Sequence, residues 1–438
     1  VTLSRIGSAL PAIQADWAVR AQRDPALLAD IARALRGPFH VINPDRFAEN
    51  LTTFKAALRT AGVEGQVYFG KKANKAGAWL DECAAQDGGI DVASVPELVH
   101  SLAHGIRGED IVVTGAAKAT DLLWLAARHR SLIAIDNLDE LERLLALNIP
   151  TRILLRVLPE VNPDSRFGLD GAQLSQALDR CTHAIDTVEM EGFSFHLDGY
   201  QVQPRADLAG RLVEAVVAAR ARGLAGNSVS IGGGFACSYV DPADWQRFQD
   251  DYRDDWFHAG KRFAKFYPYH QNPVGAQMLS AILDRVGARF AATSTRLYCE
   301  PGRALLDQAG FSVFPILGYK QRGDHGVLTV DGLSMSVSEQ WKGSEFLPDP
   351  LLWQADSAGG EEPVTAYVGG ASCMEYDVLT WRKITFPRQP RHGDLLIYPN
   401  TAGYQMDKNE SEFHQLPLPP KICLHERDGR HMWSPDIH

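Results

Sequence analysis

Between residues 66 and 300 the chain repeats one pattern eight times: a short strand-like run, followed in most intervals by a helical pattern. The strand-like runs fall near 66–71, 89–93, 110–114, 131–135, 151–157, 189–196, 228–232 and 295–300. Helical spacing marks intervals such as 120–129, 138–147 and 206–222. Eight strands alternating with helices predict an α/β fold, a parallel (β/α)8 TIM-like barrel. A short strand over 37–43 and a helix over 44–61, opened by Pro44 and closed by Gly62, precede the first repeat.

The pattern changes after about residue 305. Runs at 311–319, 326–330, 364–368 and 395–398 read as strands between turn-rich loops. We therefore expect three parts: an N-terminal segment over 1–36, a barrel over 37–310, and a β-rich C-terminal domain over 311–438. The first part has no barrel role and is expected to pack on the third. The interval 241–287 is longer than one crossover helix needs. It carries Trp256, Phe257, Phe263, Phe266, Tyr267 and Tyr269, which fit either an insertion with its own small core or an element that shapes a substrate pocket.

Composition narrows the function. Of 438 residues, 45% are hydrophobic and 22% charged, as in an ordinary globular protein, and the net charge is −10. With no long basic stripe, a nucleic-acid partner is not expected, and no apolar stretch is long enough to span a membrane. The N-terminal residues show neither the basic start nor the apolar centre of a signal peptide. Six cysteines at 83, 181, 237, 299, 373 and 423 lack the paired spacing of a zinc site or a disulfide scaffold. No metal site and a reducing, cytoplasmic location are expected.

In a (β/α)8 barrel the C-terminal strand ends share one mouth. That ring collects Lys72 after the first run, Asp91 and Ser94 after the second, and His196 after the sixth. Gly232, Gly233 and Gly234 follow the seventh, and Glu300 and Arg303 the eighth. A lysine there, partly desolvated, loses its proton more readily and can attack an aldehyde. A glycine triplet after a strand lets backbone N–H groups approach a phosphate.

Eight separated motifs then stand in one order: Lys72-Ala73-Asn74; Asp91-Val92-Ala93-Ser94 with Glu97; Asp164-Ser165-Arg166-Phe167-Gly168; Phe195-His196; Gly232-Gly233-Gly234-Phe235; Glu300-Pro301-Gly302-Arg303; Cys373 with Asp377; and Gly403-Tyr404. From about residue 38 to 430 the chain resembles the fold type III (alanine-racemase-fold) pyridoxal phosphate enzymes, in their diaminopimelate/ornithine decarboxylase branch. The resemblance implies decarboxylation of an amino acid through a Schiff base of pyridoxal 5'-phosphate on Lys72. It implies Asp91 among the cofactor contacts, His196 stacked on the ring, and the three glycines, Arg303 and Tyr404 around the phosphate. Glu300 would bind the pyridine nitrogen. It further implies a homodimer with a shared site, to which the partner contributes Cys373, near the carbon that loses CO2 and is reprotonated, and Asp377, a substrate contact. A carboxylate at a protonated ring nitrogen is a contact worth on the order of 4 kcal/mol at an effective dielectric near 20. That is enough for roughly three orders of magnitude in rate if felt in the transition state.

Three departures bear on the substrate. Met374 follows Cys373 where the diaminopimelate and ornithine enzymes carry an acid for the distal ammonium; Glu375 stands one position later. The stretch 335–342, ending in Lys342, replaces a run that helps bind the distal carboxylate, and lysine lacks arginine's planar two-point contact. His196 is followed by Leu197-Asp198-Gly199-Tyr200 in place of a Gly-Ser phosphate contact. We therefore expect a substrate other than free diaminopimelate or ornithine, such as a biosynthetic conjugate. The alternatives are a pyridoxal phosphate-dependent racemase or epimerase, or a non-catalytic homologue that binds the cofactor.

Overall fold

A computed structural model describes residues 9–337, 344–354 and 362–436. The chain forms two compact units that interleave in sequence. One holds Phe47–Ala236 and Pro273–Leu305; the other takes the residues up to Arg46, Cys237–Asn272, and those from Leu306 on.

The first unit is a closed barrel of eight parallel strands. They are Gly65–Gly70, Gly89–Val92, Ile111–Val113, Leu132–Ile135, Thr151–Arg156, Val188–Ser194, Ser228–Ser230 and Arg296–Cys299. Runs such as Ile111-Val112-Val113 and Leu132-Ile133-Ala134-Ile135 are buried at every position. A strand covered by helices outside and by barrel filling inside can carry no polar face. Tyr68, Val112, Leu132, Leu154 and Tyr298 form one interior cluster, with the two tyrosine rings meeting edge-on at 5.6 Å. Side-chain caps start several outer helices: Asn137 accepts from Glu140 N at 2.9 Å, and Asp170 and Gln173 close a reciprocal box.

The second unit is built on a nine-stranded sheet. Phe39–Ile42 lies antiparallel to Gly310–Arg322 and parallel to Lys421–Arg427. The helices Asp16–Arg23 and Pro25–Leu35 place Ala18 and Ala21, and Leu27, Leu28 and Ile31, respectively, in one core with Phe39, Phe311, Val313, Ile397 and Ile422. The strand at 39–42 thus lies in this sheet and not in the barrel, although it falls within the range 37–310 that the sequence suggests for the barrel.

The interval 241–287 divides between the units. Residues 237–272 group with the β-rich unit, where Phe248, Tyr252, Trp256, Phe257 and Phe266 form a ring cluster. Tyr239 meets both Tyr269 and Phe346 edge-on. The helix Gly275–Ala292 belongs to the barrel unit, burying Met278, Leu279, Ile282, Leu283, Val286 and Phe290. Their three-and-four spacing makes a single apolar stripe, as a crossover helix needs. The insertion therefore ends well before 287. Among the described residues no helix is long and apolar enough to cross a membrane.

A buried ion pair braces the rim of the barrel. Lys118 Nζ donates to Glu140 Oε1 at 2.8 Å and to Ala134 O at 2.5 Å, with both side chains almost fully buried. Glu140 also accepts from Lys118 N and Asp136 N. Removing one partner strands the other charge in a dry site. Glu140→Leu is expected to destabilise the protein by about 3–5 kcal/mol, and Lys118→Met with Glu140→Leu to recover most of that loss. Urea melts of both variants check it; equal melts for the single and double variants would contradict it.

Candidate active site

The first barrel strand ends at Gly70, and a short 3-10 turn, Lys71–Ala73, carries Lys72. Gly70 N donates to Pro301 O at 3.1 Å, joining this turn to the one after the eighth strand. The Lys72 side chain is half exposed, and its Nζ lies 2.9 Å from Asp91 Oδ2. Asp91 is buried, and its other oxygen accepts from Thr114 Oγ1 at 2.6 Å. The amine is thus aimed by a carboxylate that is itself fixed from the next strand.

Glu300 is buried and accepts from Ser230 Oγ at 2.6 Å. Burial, followed by the nearby charge of Asp91, pushes its carboxyl up to about 7; Ser230 and Lys72 only partly oppose this. Ser230 Oγ in turn accepts from Gly232 N at 3.3 Å. His196 accepts at Nδ1 from Gly233 N at 3.3 Å, which leaves its other nitrogen to carry the proton. Burial, then the charges of Lys72, Arg205 and Arg156, bring the imidazole down to about 3, so the ring is neutral at physiological pH.

The glycine turn is required sterically. Gly232 and Gly234 have φ of +67° and +78°, and a Cβ on Gly232 would stand 2.6 Å from Phe195 O. On Gly233 it would stand 2.7 Å from Glu300 O. Arg303 follows, buried, in the turn Arg303–Leu305. Ser94 has a structural role: it caps the helix Val95–Ala103 by accepting from Glu97 N.

The barrel thus gathers Lys72, Asp91, His196, the three glycines, Glu300 and Arg303. The remaining candidates lie in the β-rich unit. Cys373 is exposed, with Sγ 3.2 Å from His414 Nε2. His414 stands at φ +60° and Gln415 at +59°, a left-handed pair that non-glycine residues rarely adopt. Asp377 is buried, and its two oxygens accept from Ser334 N at 2.7 Å and Ser372 N at 3.1 Å. The resemblance implies Asp377 as a substrate contact; in the structure both its oxygens hold backbone amides around the loop bearing Cys373. Met374 is half-buried and Glu375 exposed; Tyr404 is half-buried at φ +74°. Lys342 lies outside the described residues. Sequence reasoning missed Ser230, Thr114 and His414, whose partners stand between 23 and 70 positions away. A serine within a barrel strand was the one signal available for Ser230.

Comparison with known proteins fits this geometry. Residues 45–307, more than half the chain, match the pyridoxal-binding domain of the pyridoxal-dependent decarboxylases. The chain is 36% identical over 425 residues to the protein y4yA of Sinorhizobium fredii, described as uncharacterized, covering 94% of this chain and 93% of that one. It is 24% identical over 415 residues to the diaminopimelate decarboxylase of Bacillus subtilis, covering 88% and 86%. The solved lysine/ornithine decarboxylase of Vibrio vulnificus, complexed with putrescine, shares the fold with a TM-score of 0.73 at 16% identity, over 94% of this chain and 99% of that one. The chain belongs to the pyridoxal-dependent decarboxylases, amino-acid decarboxylases whose cofactor is pyridoxal phosphate.

Proposed function

We propose that the chain removes the α-carboxylate of an amino acid other than free diaminopimelate or ornithine, at the barrel rim around Lys72. One observation carries this reading. A half-exposed amine held by Asp91 stands one backbone hydrogen bond from the turn that begins with a buried carboxyl, which among the described residues no cation contacts directly.

The residues suit pyridoxal phosphate. The Lys72 amine is the attachment point, and a protonated ring nitrogen is the cation that the Glu300 carboxyl lacks. Asp91 orients the amine before attachment. The neutral ring of His196 offers a flat face, and Ser230 fixes the Glu300 carboxyl. The glycine turn, Arg303 and Tyr404 hold the phosphate. When bound, the cofactor supplies an electron sink for the pair left by loss of CO2.

The carbon left behind needs a proton, and Cys373 of the partner subunit delivers it from Sγ in a homodimer with shared sites. His414, within hydrogen-bonding distance of that sulfur, is placed to return the proton once it has been delivered. Asp377 keeps the Cys373 loop in place. Met374 cannot pair with a distal ammonium, which supports a substrate with a larger or less charged side chain, such as a conjugate. Glu375 and Lys342 are the charged groups left to recognise its far end.

Three outcomes follow from this reading. Mass spectrometry of holoenzyme given lysine, ornithine, arginine, diaminopimelate and carboxylated conjugates should show CO2 lost from a conjugate and none with Lys72→Ala; efficient turnover of meso-diaminopimelate would defeat the substrate assignment. Mixing inactive Lys72→Ala and Cys373→Ala proteins should restore roughly a quarter of wild-type activity, because each mixed dimer rebuilds one of two sites. No recovery, with mixed dimers present by native mass spectrometry, would rule out shared sites.

The third outcome is a pH dependence. A carboxyl near 7 when folded and near 4.5 when unfolded binds more protons in the folded state between those values. Stability of the cofactor-free protein therefore falls as pH rises from about 4.5 to 7, by about 3 kcal/mol from this group. Glu300→Gln should flatten that part of the profile in thermal melts; an unchanged slope would contradict the buried carboxyl.

A further inference from the structure

Arg205, near the start of the helix Val202–Ala221, is fully buried, and among the described residues no carboxylate pairs with it. Its guanidinium donates only to main-chain carbonyls: Ile231 O at 2.8 Å, Leu197 O and Gly199 O at 3.4 Å, and Gly234 O at 3.5 Å. Its Nε is buried with no partner. Burial brings its pKa down to about 10, so it stays charged at neutral pH. A buried cation with no carboxylate in contact, and only the more distant charge of Glu300 to answer it, is costly, and carbonyl dipoles offset only part of that cost.

The carbonyls come from two loops: the one after His196 and the glycine turn. C=O and N–H of a trans peptide point in opposite directions. A cation that collects the carbonyls of 197, 199 and 234 therefore turns the amides of Asp198, Tyr200 and Phe235 away from itself. Amides turned to one side form a concavity suited to an anion.

We propose that Arg205 is the positioning residue of the phosphate subsite: from behind the two loops it orients their amides and supplies the fixed positive charge that the cofactor's phosphate answers. This rests on the reading that places the phosphate at the glycine turn. Arg205 touches neither substrate nor reacting atoms, and its helical position gives no hint of the role in sequence.

The test is spectroscopic titration of cofactor-free wild type, Arg205→Gln and Arg205→Lys with pyridoxal phosphate and with pyridoxal, which has the same ring and aldehyde but no phosphate. Arg205→Gln should weaken pyridoxal phosphate on the order of 10–100-fold, the usual cost of losing a supporting partner, while pyridoxal changes by less than about threefold. Arg205→Lys keeps the charge but not the fork and should fall between. Equal losses for both ligands would reduce Arg205 to a support of the fold, and no loss for pyridoxal phosphate would also overturn the proposal. Should Arg205→Gln fail to fold in thermal melts, the same ratio measured on Arg205→Lys decides. Wild-type protein that binds both ligands equally would instead sink the phosphate assignment on which this rests.

Discussion

The site depends on the closure of the first barrel strand on the eighth. Gly65, Gln66 and Val67 pair in parallel with Leu297, Tyr298 and Cys299, and Gly70 N completes the seam at Pro301 O. Across that seam Lys72 and Glu300, far apart in the chain, become neighbours. Parallel strands also send every C-terminal end to the same rim, so loops of unrelated sequence converge on one volume. The barrel thus positions the chemistry, and its rigidity comes from a wall of mostly buried, apolar strand residues.

Burial then sets the charge states at the rim. The same desolvation that raises the Glu300 carboxyl depresses the His196 imidazole, each toward its neutral form. A neutral imidazole is a flat face that does not repel a cationic ring. A buried carboxyl is a group that a cationic ring nitrogen stabilises. Lys72, held by Asp91, is the one member of this set with substantial exposure, which suits the proposed role of attachment point. In the reading proposed above, the guanidinium of Arg205 answers to the phosphate end of the same ligand.

The β-rich unit shows how far a local pattern can be read. Its strands at 310–322, 325–330, 364–369 and 395–398 stood out because apolar residues cluster between turns. Val378–Phe386 did not, since Thr380, Trp381, Arg382 and Lys383 break its alternation; Arg382 is buried nonetheless because it pairs with Asp349. Lys421–Arg427 and Arg430–Pro435 were missed for a similar reason, their outer halves being charged and exposed. The environment of Asp377 is set by the amides of Ser334 and Ser372, neither of which its place after Cys373 reveals.

By itself the sequence determined the barrel, the family and the groups at the rim. Buried parallel strands are mostly apolar along their length, and an amine, a glycine turn and an acid at fixed strand ends leave a pattern that survives in one dimension. Only the tertiary structure decided which residues stand behind those groups: Ser230 under Glu300, Thr114 behind Asp91, His414 beside Cys373, and Arg205 behind the glycine turn. It also decided that 39–42 and 237–272 belong with the β-rich unit. The physical reason is the same throughout. Hydrogen bonds and burial act over a few ångströms in space, and their partners here lie tens to hundreds of positions apart along the chain.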